Sequence, residues 1–236
     1  MKNIVSVQPD NISFELFKSM RTNLDFLLKD KENIVLFTSA SKGDGKSFIV
    51  SNLAASFTQL NKKVLVIDLD LRRGTQHKNL EVNLTNGMTD LLMDEEVTEI
   101  SKFIKKTKIK NLYVMTRGKI QINTPEILLS GKLEAILKVL KGSFDYVLVD
   151  APPVNVVTDV TILNKIVKNI VLITTLNQTK IELIEKAKRD LVSNGANILG
   201  VIANKVPIHK YRYKYKGYDY EYGDSNKKNR KNKWGI

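Results

Sequence analysis

Cysteine is absent from this 236-residue chain, and histidine occurs only as His77 and His209. Without cysteine the chain has no disulfides and no thiolate-bound metal, which suits a reducing compartment such as the cytoplasm. Two histidines are too few for most zinc sites, and they argue against a histidine-based catalytic triad. The composition therefore directs attention to other chemical groups.

Long apolar runs are also missing. A membrane-spanning helix needs roughly 20 consecutive apolar residues, and the apolar runs of this chain, such as 64–67 and 170–173, are far shorter. The first 15 residues, MKNIVSVQPDNISFE, lack the apolar region of a signal peptide. We therefore expect a soluble, cytoplasmic protein that reaches the inner face of the plasma membrane only through a partner or through charge.

Short apolar runs alternate with amphipathic segments along most of the chain. The predicted strands are 33–38, 63–68, 112–116, 146–150, 170–174 and 197–203, and the predicted helices after the first are 47–60, 88–93, 125–140, 159–167 and 179–193. The strands are continuously apolar, which is typical of strands covered on both faces. The pattern predicts an α/β domain over residues 1–206, with a mainly parallel sheet and helices on both faces.

A glycine-rich segment, LFTSASKGDGKS, lies between a predicted strand and a predicted helix, as a phosphate-binding P-loop does. Gly43 and Gly45 allow the turn that points backbone N–H groups at phosphate oxygens. Lys46 can reach the β- and γ-phosphates, and the Ser47 hydroxyl can coordinate Mg²⁺. Ala40 replaces the first glycine of the general pattern and leaves the cradle intact. The predicted nucleotide-binding residues are Ser41, Lys42, Gly43, Asp44, Gly45, Lys46, Ser47 and Phe48.

Three aspartates end two further apolar strands. Asp68 and Asp70 follow the run VLVI, and Asp150 follows the run YVLV. The carboxyl ends of parallel strands border the crevice in which ligands bind in open α/β sheets. Three carboxylates in one crevice repel each other unless a cation is present. The aspartates therefore indicate a catalytic or metal-binding edge beside the P-loop.

The P-loop, the strand ending in DLDLR and the strand ending in VDAPP together resemble the bacterial tyrosine kinase (BY-kinase) family, within the MinD/ParA-like P-loop class. The single-chain form that regulates capsule and exopolysaccharide synthesis fits best. The resemblance covers nearly the whole chain and includes the segments ELFKSMR and LGVIAN and a C-terminal tyrosine cluster. It implies a P-loop NTPase fold and a protein-tyrosine kinase that uses ATP and Mg²⁺.

The same resemblance implies roles for the charged residues. Lys46 and Ser47 would hold phosphate and Mg²⁺, and Asp68 would be the base that accepts the tyrosine proton. Asp70 and Asp150 would support the metal with Ser47, directly or through water. The division of roles among the three carboxylates stays open, since phosphoryl transfer depends mostly on positioning and charge neutralisation.

Other positions match or depart from the family pattern. Asn204 matches the position near the adenine base, although it could equally be an ordinary strand-end asparagine. Lys42 and Gly74 replace usual prolines, and neither change is expected to abolish nucleotide binding. Lys42 also resembles the signature lysine of MinD/ParA-type dimeric ATPases. That lysine is the second residue of the loop, which is Ser41 here, so the offset argues against such an ATPase.

An amphipathic helix is predicted at about 13–29, and it carries Glu15, Lys18 and Arg21. In the family, the motif E-x-x-R-x-x-R serves assembly of subunits into a ring. Lys18 replaces the first arginine, and lysine keeps the charge but lacks the bidentate fork. The resemblance therefore implies a ring-forming homo-oligomer with a weaker contact here. The alternative is an amphipathic core helix with solvated charges.

Residues 207–236 are predicted to form a flexible, basic tail. From residue 205 onward the chain carries 10 Lys and Arg against 3 Asp and Glu, within a total net charge of +13. The cluster contains Tyr211, Tyr213, Tyr215, Tyr218, Tyr220 and Tyr222. By resemblance these tyrosines are phosphorylated in trans, and since each phosphate adds about −1.5 to −2 charges, several would disperse the ring. A final strand or base stacking on nucleic acid are the alternatives.

The resemblance also implies partners. The kinase would need a membrane adaptor whose cytoplasmic C-terminal segment activates it, and a tyrosine phosphatase would reverse its reaction. Nucleic acid is not expected as a partner. Two other functions stay open: a ParA/MinD-like positioning ATPase whose basic tail contacts DNA or membrane, and a nucleotide-binding regulatory subunit that no longer transfers phosphate.

Overall fold

A computed structural model of the chain describes residues 4–8, 13–28, 32–94, 96, 99–121 and 123–207. The chain divides into two units, 1–204 and 205–236. Only residues 205–207 of the second unit are described. The six tail tyrosines lie outside the described residues, so their role as phosphate acceptors stays a prediction.

The first unit alternates helices and strands. Its helices are α1 (Ser13–Leu27), α2 (Lys46–Thr58), α3 (Gln76–Asn79), α4 (Met88–Met93), α5 (Thr124–Leu129), α6 (Lys132–Ser143), α7 (Asp159–Ile166) and α8 (Ile181–Ser193). Its strands are β1 (Ile34–Ser39), β2 (Val64–Asp68), β3 (Lys105–Lys106), β4 (Leu112–Met115), β5 (Tyr146–Asp150), β6 (Asn169–Thr175) and β7 (Asn197–Asn204). A 3₁₀ turn spans Ile100–Phe103. Most predicted elements are confirmed within one or two residues.

The strands form one sheet in the order β3-β4-β2-β5-β1-β6-β7. All neighbours are parallel except β3, which pairs antiparallel with β4 at the edge. The inner strands β1, β2, β5 and β6 are apolar and almost fully buried, as expected of strands covered on both faces. The predicted α/β fold with a mainly parallel sheet is confirmed.

Helices cover both faces of this sheet. Side chains alternate along β1, so that Val35 and Phe37 face one side and Leu36 faces the other. The first side packs against α1 and α2, through Phe17 and residues such as Leu53. The second side packs against α4 to α8. The two cores fix the strand ends, and with them the edge where the P-loop and the aspartates lie.

Two parts of the predicted fold differ from the structure. The helix predicted at 125–140 is two helices, because Gly131 between them adopts a left-handed conformation with φ of +78°. The antiparallel strand β3 was not predicted, since a pair of lysines carries no strand pattern. Within the described residues, no helix combines the length and the apolarity that a membrane crossing requires.

Candidate active site

The P-loop connects β1 to α2, as predicted. Gly43 and Gly45 have φ angles of +87° and +84°, the left-handed conformation that favours glycine. Helix α2 begins at Lys46, and no side chain is hydrogen-bonded at its N-cap position, Gly45. Backbone N–H groups at the start of this 13-residue helix are thus available to an anion. Lys46 is 8% exposed beside them.

Asp44 stabilises the loop from inside the protein. Its carboxylate is 3% exposed and accepts hydrogen bonds from the Ser41 N–H at 2.9 Å and from the Thr179 hydroxyl at 2.7 Å. Thr179 in turn accepts a bond from the Thr175 N–H at 3.1 Å. The side chain of Asp44 therefore ties the P-loop to the β6–α8 loop. By contrast, the predicted ligands Lys42, Gly43 and Phe48 are exposed.

Asn204, at the end of β7, also contacts the P-loop. Its Nδ2 donates to the carbonyl oxygen of Asp44 at 2.9 Å. A Cβ added at Gly45 would lie 2.2 Å from the same Nδ2, so that only glycine fits there. The structure thus gives Asn204 a supporting role, and its predicted contact with adenine stays a prediction.

Asp68 and Asp150 form a buried carboxylate pair at the adjacent ends of β2 and β5. The two residues are partners in the parallel register, and both are 0% exposed. Burial, and then the charge of Asp150, raise the pKa of Asp68 well above its ordinary value. Burial also raises the pKa of Asp150, although the Lys46 ammonium and the Ser47 hydroxyl act in the opposite direction. The pair is a strong acceptor for a proton or a cation.

Asp70 is placed differently from the other two aspartates. It is half-buried, and its Oδ1 accepts a hydrogen bond from the Arg73 N–H at 2.9 Å, which caps the turn after β2. Its charge still helps to raise the pKa of Asp68 and of Asp150. Among the described residues, no group of three or more His, Cys, Asp or Glu side chains is arranged to hold a metal ion. The expected three-carboxylate cluster is therefore a buried pair with a third charge nearby.

Gln76, at the start of α3, is a site residue that the sequence did not reveal. It is 0% exposed, and its backbone N–H donates to Asp68 Oδ2 at 3.0 Å. Its side-chain Nε2 donates to Asp150 Oδ2 at 2.8 Å and to the Ser47 carbonyl oxygen at 3.1 Å. A single glutamine in a loop belongs to no motif, so no sequence signal could have identified it.

The donor set of this region fits Mg²⁺ with a nucleotide. Three buried oxygens, Asp68 Oδ1, Asp150 Oδ1 and Gln76 Oε1, have no hydrogen-bond partner within the described structure. Together with the Ser47 hydroxyl they are all hard oxygen donors. Mg²⁺ typically binds through one or two carboxylates, waters and substrate phosphates. The residues present therefore suit a magnesium ion that binds with the nucleotide.

The residues predicted to assemble subunits lie on α1, apart from this edge of the sheet. Lys18 and Glu15 form an exposed ion pair at 3.0 Å. Arg21 is only 7% exposed, and it donates to the Ser56 carbonyl oxygen at 2.6 Å and to Gln59 Oε1 at 3.3 Å. Arg21 thus anchors α1 to the end of α2 within one chain. The assembly role of the three residues stays a prediction.

Comparison with known proteins agrees with this geometry. A family model described as an AAA domain matches residues 32–195. The putative tyrosine-protein kinase CapB of Staphylococcus aureus is 34% identical over 204 residues, which are 86% of this chain and 89% of CapB. The tyrosine-protein kinase wzc of Salmonella typhi is 31% identical over 199 residues, which are 84% of this chain. The chain spans only 27% of the length of that relative.

Solved structures show the same similarity. The kinase domain of Escherichia coli tyrosine kinase ETK has a TM-score of 0.81 at 30% identity, over 86% of this chain and 80% of that domain. The cell division ATPase MinD of Pyrococcus furiosus has a TM-score of 0.62 at 25% identity, over 72% of this chain and 71% of MinD. The similarity to MinD is thus a more distant relation of fold.

Proposed function

The chain belongs to the bacterial tyrosine kinase (BY-kinase) family, and we propose that it transfers the γ-phosphate of ATP to tyrosine hydroxyls, those of its own C-terminal tail among them. The observation that supports this most directly is the buried pair of Asp68 and Asp150 beside Lys46 at the P-loop. A P-loop alone indicates nucleotide binding. A proton acceptor at the same edge adds what a hydroxyl nucleophile needs.

In this proposal the phosphate-binding groups come from the start of α2. The N–H groups after Gly45 and the Lys46 ammonium hold the phosphates. The Ser47 hydroxyl and Asp150, with Asp70 nearby, hold the metal. Mg²⁺ bound there supplies positive charge to the phosphoryl group that is transferred.

Asp68 is the proposed proton acceptor. Its raised pKa makes its carboxylate a better base than an exposed aspartate. In this structure Asp68 is covered, because Gly74 lies directly against its carboxylate: a Cβ at Gly74 would be 2.2 Å from Asp68 Oδ1. A tyrosine hydroxyl can reach Asp68 only after the loop of residues 69–75 moves. The proposal therefore includes opening of this loop when a tyrosine binds.

The proposed acceptors are the six tail tyrosines between Tyr211 and Tyr222, delivered by a neighbouring subunit in a ring. The dense cluster of tyrosines in a basic segment supports this assignment. Each phosphate would add about −1.5 to −2 charges, so that phosphorylation of several tyrosines would reverse the positive charge of the tail and separate the subunits. We propose that this cycle regulates capsular or exopolysaccharide synthesis.

The proposed partners follow from the family. An adaptor with a cytoplasmic C-terminal segment would hold the kinase at the inner face of the membrane and activate it, and a tyrosine phosphatase would reset the tail. The test is incubation of the purified chain with ATP and Mg²⁺, with and without such an adaptor segment, followed by mapping of phosphotyrosines by mass spectrometry.

Two control variants make that test decisive. Lys46→Met should give no phosphotyrosine, and replacement of all six tail tyrosines by Phe should remove most of the signal. Undiminished phosphorylation of the six-Phe variant would refute the tail as the acceptor. Magnesium-dependent ATP binding without any phosphotyrosine, even with the adaptor segment, would instead identify a regulatory subunit.

A further inference from the structure

Gln76 joins the two sides of the site. It lies 74 residues before Asp150 in sequence, and its Nε2 donates both to Asp150 Oδ2 and to the carbonyl oxygen of Ser47 in the first turn of α2. Its backbone N–H donates to Asp68 Oδ2. One fully buried residue thus contacts both carboxylates and the start of the phosphate-binding helix.

The chemistry of an amide explains why a glutamine suits this position. The NH₂ group offers two donors to two acceptors, whereas a carboxylate offers none. A donor is required because two buried carboxylates in contact are costly without compensating hydrogen bonds. The amide carries no charge, so it supplies these bonds without displacing a cation from the pair.

The hydrogen bonds of Gln76 also select which oxygen each carboxylate presents. Oδ2 of Asp68 and Oδ2 of Asp150 are both occupied by Gln76. Oδ1 of both aspartates has no partner within the described structure. A carboxylate held at one oxygen offers the other in a fixed orientation. Hydrogen bonds of this kind from residues around metal ligands typically change metal affinity by about 10–100-fold.

We propose that Gln76 is the positioning residue of the metal site: it holds Asp150 through Nε2 so that Oδ1 is presented to the magnesium of the bound nucleotide. This inference rests on the proposed function. It adds a residue to the site that neither the P-loop nor the aspartate motifs contain. Gln76 acts through Asp150, and it touches neither the phosphates nor the reacting hydroxyl.

The test measures ADP binding by calorimetry, with Mg²⁺ and with EDTA, in the full chain. In Gln76→Met, which keeps the length of the side chain without its donors, the gain in ADP affinity from Mg²⁺ should fall by about 10–100-fold. Affinity for metal-free ADP should stay the same, because the P-loop amides and Lys46 are unchanged. Gln8→Leu, at an exposed glutamine of the first described segment, is the matched control and should behave like wild type.

A second variant separates positioning from direct metal binding. Gln76→Glu keeps an oxygen but loses the donors, so it should lose the gain from Mg²⁺ as Gln76→Met does. A larger gain in Gln76→Glu would mean that the side chain is itself a metal ligand and would overturn the proposal. Equal losses with and without Mg²⁺, or no loss, would overturn it too. A wild-type chain that shows no gain from Mg²⁺ would refute the proposed function itself.

Discussion

The two sides of the site differ in how the chain builds them. The phosphate side comes from one continuous segment, residues 40–47, whose shape follows from two glycines and the start of a helix. The acidic side joins Asp68, Asp150 and Gln76, which approach each other only through the register of β2 and β5 and the turn after β2. The first side is locally encoded. The second depends on the whole fold, and it keeps two carboxylates buried together.

The largest expected effect separates these two sides. Lys46→Met should weaken ADP binding with and without Mg²⁺, by about 10–100-fold, since a hydrogen bond to a charged group contributes about 1.5–3 kcal/mol. Asp150→Asn should remove only the part of the affinity that depends on Mg²⁺. Calorimetric titrations with Mg²⁺ and with EDTA measure both. Equal behaviour of the two variants would mean that the sides are not functionally distinct.

The next prediction concerns the close approach of Gly74 to Asp68. A Cβ at this position would lie 2.2 Å from Asp68 Oδ1, and Gly74 does not have a positive φ, so any effect of Gly74→Ala is steric. Displacement of Asp68 should lower the rate of tyrosine phosphorylation by up to about 100-fold, the cost that a shift of 1 Å can have. Initial rates with a tyrosine peptide or the tail measure it.

Gly142→Ala is the matched control for that substitution. A Cβ at Gly142 meets no atom within 4 Å, and the residue lies in α6. Alanine in place of glycine in a helix stabilises by about 0.5–1 kcal/mol, so the control should retain full activity. If Gly74→Ala is equally active, Asp68 tolerates displacement and is not the proton acceptor.

The third prediction tests the energetic cost of the acidic side. The pKa of Asp68 is higher in the folded than in the unfolded chain, where it is about 3.9. The folded chain therefore gains stability from this carboxyl below about pH 4, and loses that contribution as the pH rises through the folded-state pKa. Asp68→Asn removes this loss, and without Mg²⁺ it should raise the Tm at pH 7.5 by about 2–4 °C per kcal/mol of relief.

The same melts at pH 4 provide the comparison that decides this prediction. There the difference between Asp68→Asn and wild type should shrink, since the aspartate is protonated in both states. Asp190→Asn, at an exposed position of α8, should change neither melt. A Tm that falls in Asp68→Asn at pH 7.5 would show that the buried pair stabilises the fold.

The contrast between the two sides also explains what the sequence could predict. Residues 40–47 could be interpreted directly, because the glycines, Lys46 and Ser47 are neighbours in the chain. The apolar strands predicted the sheet, and the position of Asp68 and Asp150 at its carboxyl edge followed. The separate orientation of Asp70 could not be predicted, because a hydrogen bond to the Arg73 N–H determines it.

Gln76 and Asp44 show a different limit. Both side chains bond to residues distant in sequence, Gln76 to Asp150 and Asp44 to Thr179. No local pattern encodes such a bond, because the partner is chosen by packing of the sheet and helices. The inward direction of Asp44 was therefore missed, and it had been expected to face the nucleotide with the rest of the loop.

The smallest expected effect concerns that link between Asp44 and Thr179. Thr179→Val keeps the shape of the side chain and removes the hydroxyl that donates to Asp44 at 2.7 Å, a charged hydrogen bond worth about 1.5–3 kcal/mol. Because Asp44 can recruit water at the surface, part of this loss should be recovered, and the KM for ATP should rise about three- to tenfold. The kcat should change little, since the acidic side is untouched. Thr179→Ser retains the hydroxyl and should restore the KM, whereas equal defects in Val and Ser variants would place the effect in packing of the threonine methyl group.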